Sequence, residues 1–224
     1  MAIHYKTFGL ALSASDIREA DQLFLVYTKD YGKIKVLGRG IRKITSKLRS
    51  GIDLFCFCEL EFIRGKYYLT LTDARIISEL NLKDSLYDIS SVIERATGAE
   101  ESDARIWRLL VNLSKYNFND KFLYSFFFWN LMFFSGYSVD LKSCVHCSAR
   151  LSLAMKFDFD AGGIVCSNCF GRSVDAIDIS ANLVKVLRVF VAGDYPLMNK
   201  LRINPAYQKT LREIENCFLD KIVV

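Results

Sequence analysis

The chain has 224 residues, 51% hydrophobic and 13% aromatic, with 30 Lys and Arg against 25 Asp and Glu for a formal charge of +5. That length and apolar content support one large domain or two to three small ones, and only two prolines with no low-complexity run exclude a disordered or linker-rich chain. The charge is uneven: seven cations and no acid fall in residues 33–49, which leaves 23 cations against 25 acids elsewhere.

The first 80 residues read as short strands. Residues 7–12, 22–28 and 33–37 are apolar or alternating runs separated by turn chemistry such as "KDYGK" at 29–33. Two longer runs, 54–63 and 67–72, are joined by "RGK" at 64–66 as a hairpin, with Leu60 and Phe62 on one face and Glu59 and Glu61 on the other. Five strands without a long helix predict a small closed barrel of the OB type. The basic stretch begins as the third strand. From Ile41 its period becomes helical, with Ile41, Ile44 and Leu48 on one face, which predicts a short basic helix ended by Gly51 and displayed on the barrel.

From residue 80 the pattern is helical. Leu82, Leu86, Ile89, Ile93 and Ala96 make one face; Ile106, Leu109, Leu110 and Leu113 make another, after an N-cap at Ser102 with Asp103 in the first turn. Residues 122–139 carry no charge over 18 positions, yet Ser125, Asn130, Ser135, Gly136 and Ser138 interrupt them, so a buried central helix is expected and not a membrane span. Ser180 is expected to cap a helix closed by Gly193, and Asn204–Pro205 to open a last helix with Tyr207, Leu211, Ile214 and Phe218 inward. The fold class expected is α+β: an OB barrel over residues 1–79 packed on a helical domain of 80–143 and 178–224, with a four-cysteine zinc ribbon inserted at 144–177.

The insert carries the most specific signal. "CVHC" at 144–147 and "CSNC" at 166–169 are two C-x2-C turns separated by 18 residues, and each turn points two thiolates at one ion. Cys144, Cys147, Cys166 and Cys169 are thus the expected ligands of one structural Zn2+, with no open position to activate water. His146 is expected to point outward, as a surface group or a support behind the ligands, and not to replace a cysteine; Cys56, Cys58 and Cys217 read as core thiols. Phosphate-binding glycine motifs, the nucleophile elbow and the zinc-protease helix are missing from the sequence, and His4 and His146 are its two histidines, so a non-catalytic binding protein is favoured with no small-molecule substrate. With no export signal or span in the sequence, a cytoplasmic location and no membrane partner are expected.

Residues 18–49, "READQLFLVYTKDYGKIKVLGRGIRKITSKLR", resemble the amino-terminal region of the bacterial RecO recombination mediators, and Gly136 leading to "CVHC" and "GGIVCSNC" resembles their zinc region. The resemblance spans nearly the whole chain in the same order. It implies DNA repair and recombination in the nucleoid, binding of single- and double-stranded DNA, and annealing of complementary strands. It further implies partnership with RecR and with the acidic tail of single-strand binding protein, helping RecA to load at gaps. Val139 stands where members commonly have proline, and some members lack the cysteines, which implies that zinc is a scaffold. The family's basic contact region maps onto Lys33, Lys35, Arg39, Arg42, Lys43, Lys47 and Arg49. Tyr68, sharing a strand face with Thr70 and Thr72 while Tyr67, Leu69 and Leu71 take the apolar face, is the candidate base-stacking ring, or equally an ordinary cross-strand partner. About five phosphate contacts would give log affinity against log salt a slope of roughly −3 to −4 on single strands. Three rival classes are an acidic-protein adaptor, an RNA-binding OB protein and a dithiol oxidoreductase.

Overall fold

The computed structural model describes residues 3–80, 85–115, 122–151 and 154–222. The chain divides into two compact units, Met1–Asn119 and Asp120–Val224.

In the first unit, five strands, β1 (His4–Asp16), β2 (Gln22–Thr28), β3 (Gly32–Gly38), β4 (Cys56–Arg64) and β5 (Leu69–Glu79), close in the order β1-β2-β3-β5-β4. All pairs are antiparallel except β3 with β5, which is parallel at Val36 and Leu37 against Leu69 and Thr70. This is the expected OB-type barrel. Its interior is filled by alternate residues, among them Phe24 and Val26, Ile34 and Val36, Leu60 and Phe62, with the core thiols Cys56 and Cys58 beside them. Gly9 lets β1 and β2 close on each other, since a Cβ there would lie 2.6 Å from Val26 Cγ1.

The outer face of part of the barrel is buried as well, which is why β1 and β2 read as nearly continuous apolar runs. Leu10, Leu12, Leu25, Tyr27 and Phe57 point outward yet are at most 8% exposed. Their cover is α1 (Leu86–Ala96) and α2 (Ala104–Lys115). Ser90 Oγ donates to Leu12 O at 2.8 Å, and Trp107 meets Phe57 edge-on at 5.8 Å. The two helices therefore belong to the barrel's compact unit, whereas the sequence grouped them with the later helices. The N-cap of α2 is Asp103, whose Oδ1 accepts from Arg105 N at 2.7 Å, one residue beyond the expected Ser102. Leu82 lies outside the described residues.

The expected basic helix does not form. Residues 39–46 run as turns, and only Lys47–Ser50 make a 3-10 turn. Ten residues bounded by Gly40 (φ +60°) and Gly51, with β-branched Ile44 and Thr45 together and Lys43 repelling Lys47 at i,i+4, are too few and too poor to nucleate a helix. Ile41 is buried and Leu48 packs on the barrel core as the pattern required, but Ile44 is 90% exposed.

The second unit is organised by α3 (Leu123–Phe134), buried from Leu123 through Met132. Phe126 contacts Phe190 of α4 (Ala181–Val191) and Tyr195 of α5 (Tyr195–Met198), while Trp129 contacts Phe218 of α6 (Tyr207–Ile222). Buried Asn130 donates to Phe126 O and Phe190 O, so its burial leaves no amide donor stranded at that point. Ser180 caps α4 by accepting from Leu183 N, and Gly193 follows it at φ +68°, both as expected. Cys217 is only half-buried and is not a core thiol. Beside the helices lies a three-stranded antiparallel sheet, β7-β6-β8, of β6 (Met155–Asp158), β7 (Gly163–Cys166) and β8 (Ile177–Ile179). Among the described residues no helix is long and apolar enough to cross a membrane.

Candidate nucleic-acid interface and metal centre

The metal-ligating cluster is local. A turn after Cys144, with Ser148 N donating to Cys144 O and Ser148 at φ +58°, brings Cys147 back beside Cys144. The second pair sits where β7 ends in a 3-10 turn, Ser167–Arg172. The first turn is fixed to the sheet by Asp140 N on Gly162 O and Ile164 N on Asp140 O. Gly163 permits that approach, because a Cβ would lie 2.4 Å from Asp140 O. Arg188 of α4 adds two donors to Leu141 O.

All four Sγ atoms lie within 4.8 Å of one another, and Cys147 and Cys166 Sγ are 3.7 Å apart. A tetrahedron of 2.3 Å zinc–thiolate bonds has an edge of about 3.8 Å, so the cluster fits such an ion. Burial opposes ionisation of Cys144, but donors from the backbone of Cys166, His146 and Cys147 prevail and bring its thiol down to about 6. Cys169 is driven upward by burial and by its neighbouring thiols. One anion is thus easily formed, while Cys166 and Cys169, both raised, would ionise more readily beside a cation that offsets the repulsion. His146 replaces no cysteine in the cluster, as expected, and supports it from outside. Its Nε2 lies 2.9 Å from Ser173 Oγ, and Ser173 donates to buried Asp158, which also accepts from Asp160 N and Ala161 N. This bridge ties the first cysteine turn to the β6–β7 turn and to the end of the second. His146 Nε2 also faces Asp158 Oδ2 directly at 3.5 Å, and the serine gives its hydrogen to the carboxylate, so the trio lacks the order of a hydrolase triad.

On the barrel, the seven cations predicted from the sequence divide. Lys33, paired across from Tyr27, turns onto the end of α1 and donates to Glu94 O and Thr97 O. Burial holds its pKa below the ordinary value. It serves as a helix C-terminal cation, not an outward one. Lys35 is exposed on β3, and Arg39, Arg42, Lys43, Lys47 and Arg49 are exposed on the β3–β4 connection. Arg42 pairs with Asp16 at 2.9 Å, with both side chains about half exposed.

Tyr68, 41% exposed, lines a groove of about 680 Å³ together with Lys33 and Lys35. Three residues that the sequence reading did not assign to a binding surface share it: Arg64, Lys66 and Tyr67. The β4–β5 turn is residues 65–68 and not 64–66, so Tyr67 leaves the apolar face and is 80% exposed, with Lys66 Nζ 5.2 Å from its ring centre. The missed signal is "RGKYY", cations interleaved with aromatics. Four cations and the carboxylates of Asp30 and Glu100 line the groove. Its far wall is the segment 98–103, held on β3 by Glu100 N on Lys33 O and on β2 by Asp103 N on Tyr27 Oη.

A closed barrel of the OB type joined in one chain to helices and to four clustered cysteines that could hold a metal ion defines an α+β class of protein. Residues 1–80 match the family model "Recombination protein O N terminal" and residues 88–223 match "Recombination protein O C terminal". The chain is 30% identical over 222 residues to the DNA repair protein RecO of Dehalococcoides mccartyi, covering 94% of this chain and 86% of that one. It is 26% identical over 221 residues to RecO of Alkaliphilus metalliredigens, with 93% and 89% covered. The chain belongs to the RecO family of DNA repair proteins.

Proposed function

We propose that this chain is a recombination mediator of the nucleoid that binds DNA without performing chemistry on it. It holds single strands in the barrel groove, anneals complementary strands, and works with RecR and the acidic tail of single-strand binding protein so that RecA replaces that protein at gaps. The observation that carries the reading is the groove itself. Lys35, Arg64 and Lys66 are exposed beside two exposed tyrosines, which pairs phosphate neutralisation with flat surfaces for bases. Annealing then needs only screening of the repulsion between two phosphate backbones, after which base pairing proceeds unaided. Bound zinc would crosslink Cys144, Cys147, Cys166 and Cys169 and leave no position open for substrate.

The test is a strand-annealing assay with Lys35→Glu/Arg64→Glu/Lys66→Glu beside the unaltered chain. Three phosphate contacts give a single-strand salt slope of about −2. The triple variant should flatten that slope and abolish annealing. Unchanged annealing removes the groove from the mechanism, and equal affinity for RNA of the same length favours the RNA-binding alternative.

A further inference from the structure

The cations bunched together in the sequence are placed by the fold at two ends of one hairpin. Gln22 pairs with Gly38 at one end of β2–β3 and Thr28 with Gly32 at the other, six steps apart or about 20 Å. The far end, with the β2–β3 and β4–β5 turns, carries the tyrosine groove. The near end carries the β3–β4 connection with Arg39, Arg42, Lys43, Lys47 and Arg49, and no residue of that connection lines the groove.

The two ends differ in chemistry as well as place. The groove offers rings, the partners a single strand's unstacked bases require. Residues 39–50 contain no aromatic side chain, and their one projecting apolar group is Ile44. Exposure alone does not mark it, since Val174 is 93% exposed. Its setting does: cations flank it on both sides, and the turn that bears it is fixed. Gly40 N donates to Asp21 Oδ1 at 2.7 Å, Arg42 N to Ala20 O at 3.1 Å, and Ile41 and Leu48 anchor the connection in the barrel core. The Arg42–Asp16 pair is exposed, so a phosphate can replace Asp16 at little cost. An aliphatic side chain set among cations combines the two groups with which minor-groove binders hold DNA and wedge between its base steps.

We infer that the preferred ligand of the barrel is a junction between duplex and single-stranded DNA: the single strand lies in the tyrosine groove, and the duplex lies on the β3–β4 connection with Ile44 against its terminal base pairs. This rests on the DNA-binding reading above and adds the shape of the substrate. Joining the two segments in one molecule makes the second contact intramolecular, which raises affinity above that of either part.

The test is anisotropy with the full zinc-loaded chain, comparing a short blunt duplex, a single strand, and the same duplex bearing tails of increasing length. The tailed duplex should bind at least about tenfold tighter than the better of its parts, well within the gain expected of linked sites. The gain should be complete by a tail of about six nucleotides, the 20 Å separation divided by a stacked rise of 3.4 Å. Ile44→Ala, an exposed site that leaves the barrel intact, should remove that gain and weaken blunt duplex binding while sparing the single strand. Tyr67→Ala/Tyr68→Ala should do the converse. A tailed duplex bound no tighter than its parts, or a gain that survives Ile44→Ala, overturns the junction. So does phosphatidylserine-vesicle binding lost in Ile44→Ala while junction binding is kept, which would make the turn a lipid-facing element. A chain that binds neither single strand nor duplex removes the DNA-binding reading beneath it, an outcome distinct from binding both without a gain.

Discussion

Removing the metal should unfold the ribbon and leave the barrel standing, and the chain's two tryptophans report the two events separately. Trp129, 1% exposed on α3, packs its ring 5.9 Å from Phe157 of β6. Trp107 packs on Phe57 of the barrel. The hydrophobic cluster at the metal site has four fully buried members, and three of them, Cys144, Cys166 and Cys169, are ligands; Val165 is the fourth. One buried valine contributes about 1.5 to 3 kcal/mol, against about 10 to 16 kcal/mol of apparent binding energy for a structural zinc site. Without the ion the cluster has too little apolar burial to offset the repulsion of its own thiolates. Titrating Trp107→Phe with a chelator should therefore shift the Trp129 emission to the red in step with zinc release, and Trp129→Phe should show the Trp107 emission unmoved. Full release of zinc with an unchanged Trp129 spectrum would refute the claim that the metal supports the ribbon. A coincident shift of Trp107 would refute the independence of the barrel.

Ser173→Ala removes the hydroxyl shared by His146 and Asp158, leaving only their 3.5 Å contact and touching no cysteine; zinc transfer to a chromophoric chelator should accelerate several-fold, short of the 10–100-fold typical of groups bonded directly to a ligand, and an unchanged rate refutes a supporting role for the serine. Lys33→Met should lower the stability of the barrel unit by about 1–2 kcal/mol in urea unfolding, because charged hydrogen bonds at the end of α1 are lost, while the salt slope on single strands stays the same. Burial pushes the Tyr27 hydroxyl up from 10.0 to about 12. Its proton is held more tightly folded than unfolded, so its contribution is complete below pH 10 and disappears as pH rises to 12. Melting temperature should fall across that window, and Tyr27→Phe should lessen the fall.

What was readable from the sequence was local. Four cysteines at fixed short spacing declare their cluster without any knowledge of the fold, and strand alternation gave the five strands of the barrel. What escaped depends on distant chain. Lys33 looks like any outward lysine until α1, some sixty residues later, places its carbonyls over it. The grouping of α1 and α2 with the barrel follows from a second apolar face on β1 and β2, which strand patterns reveal only as unbroken runs. Tyr67 was lost because the turn runs on to Tyr68, two residues further than read, so its ring leaves the strand while Leu69 and Leu71 keep the core face. The basic helix failed because a correct apolar period at Ile41 and Leu48 does not guarantee enough residues to sustain a helix between glycines.

The segment 98–103 fastens the helical hairpin to the rim of the barrel so closely that Gly32 admits no side chain: a Cβ there would sit 2.1 Å from Glu101 O. Where sequence families part, after residue 80, the molecule does not. A fragment ending there would retain every strand but stand roofless, with Leu10, Leu12, Tyr27 and Phe57 open to water, and would precipitate where the first 119 residues stay in solution.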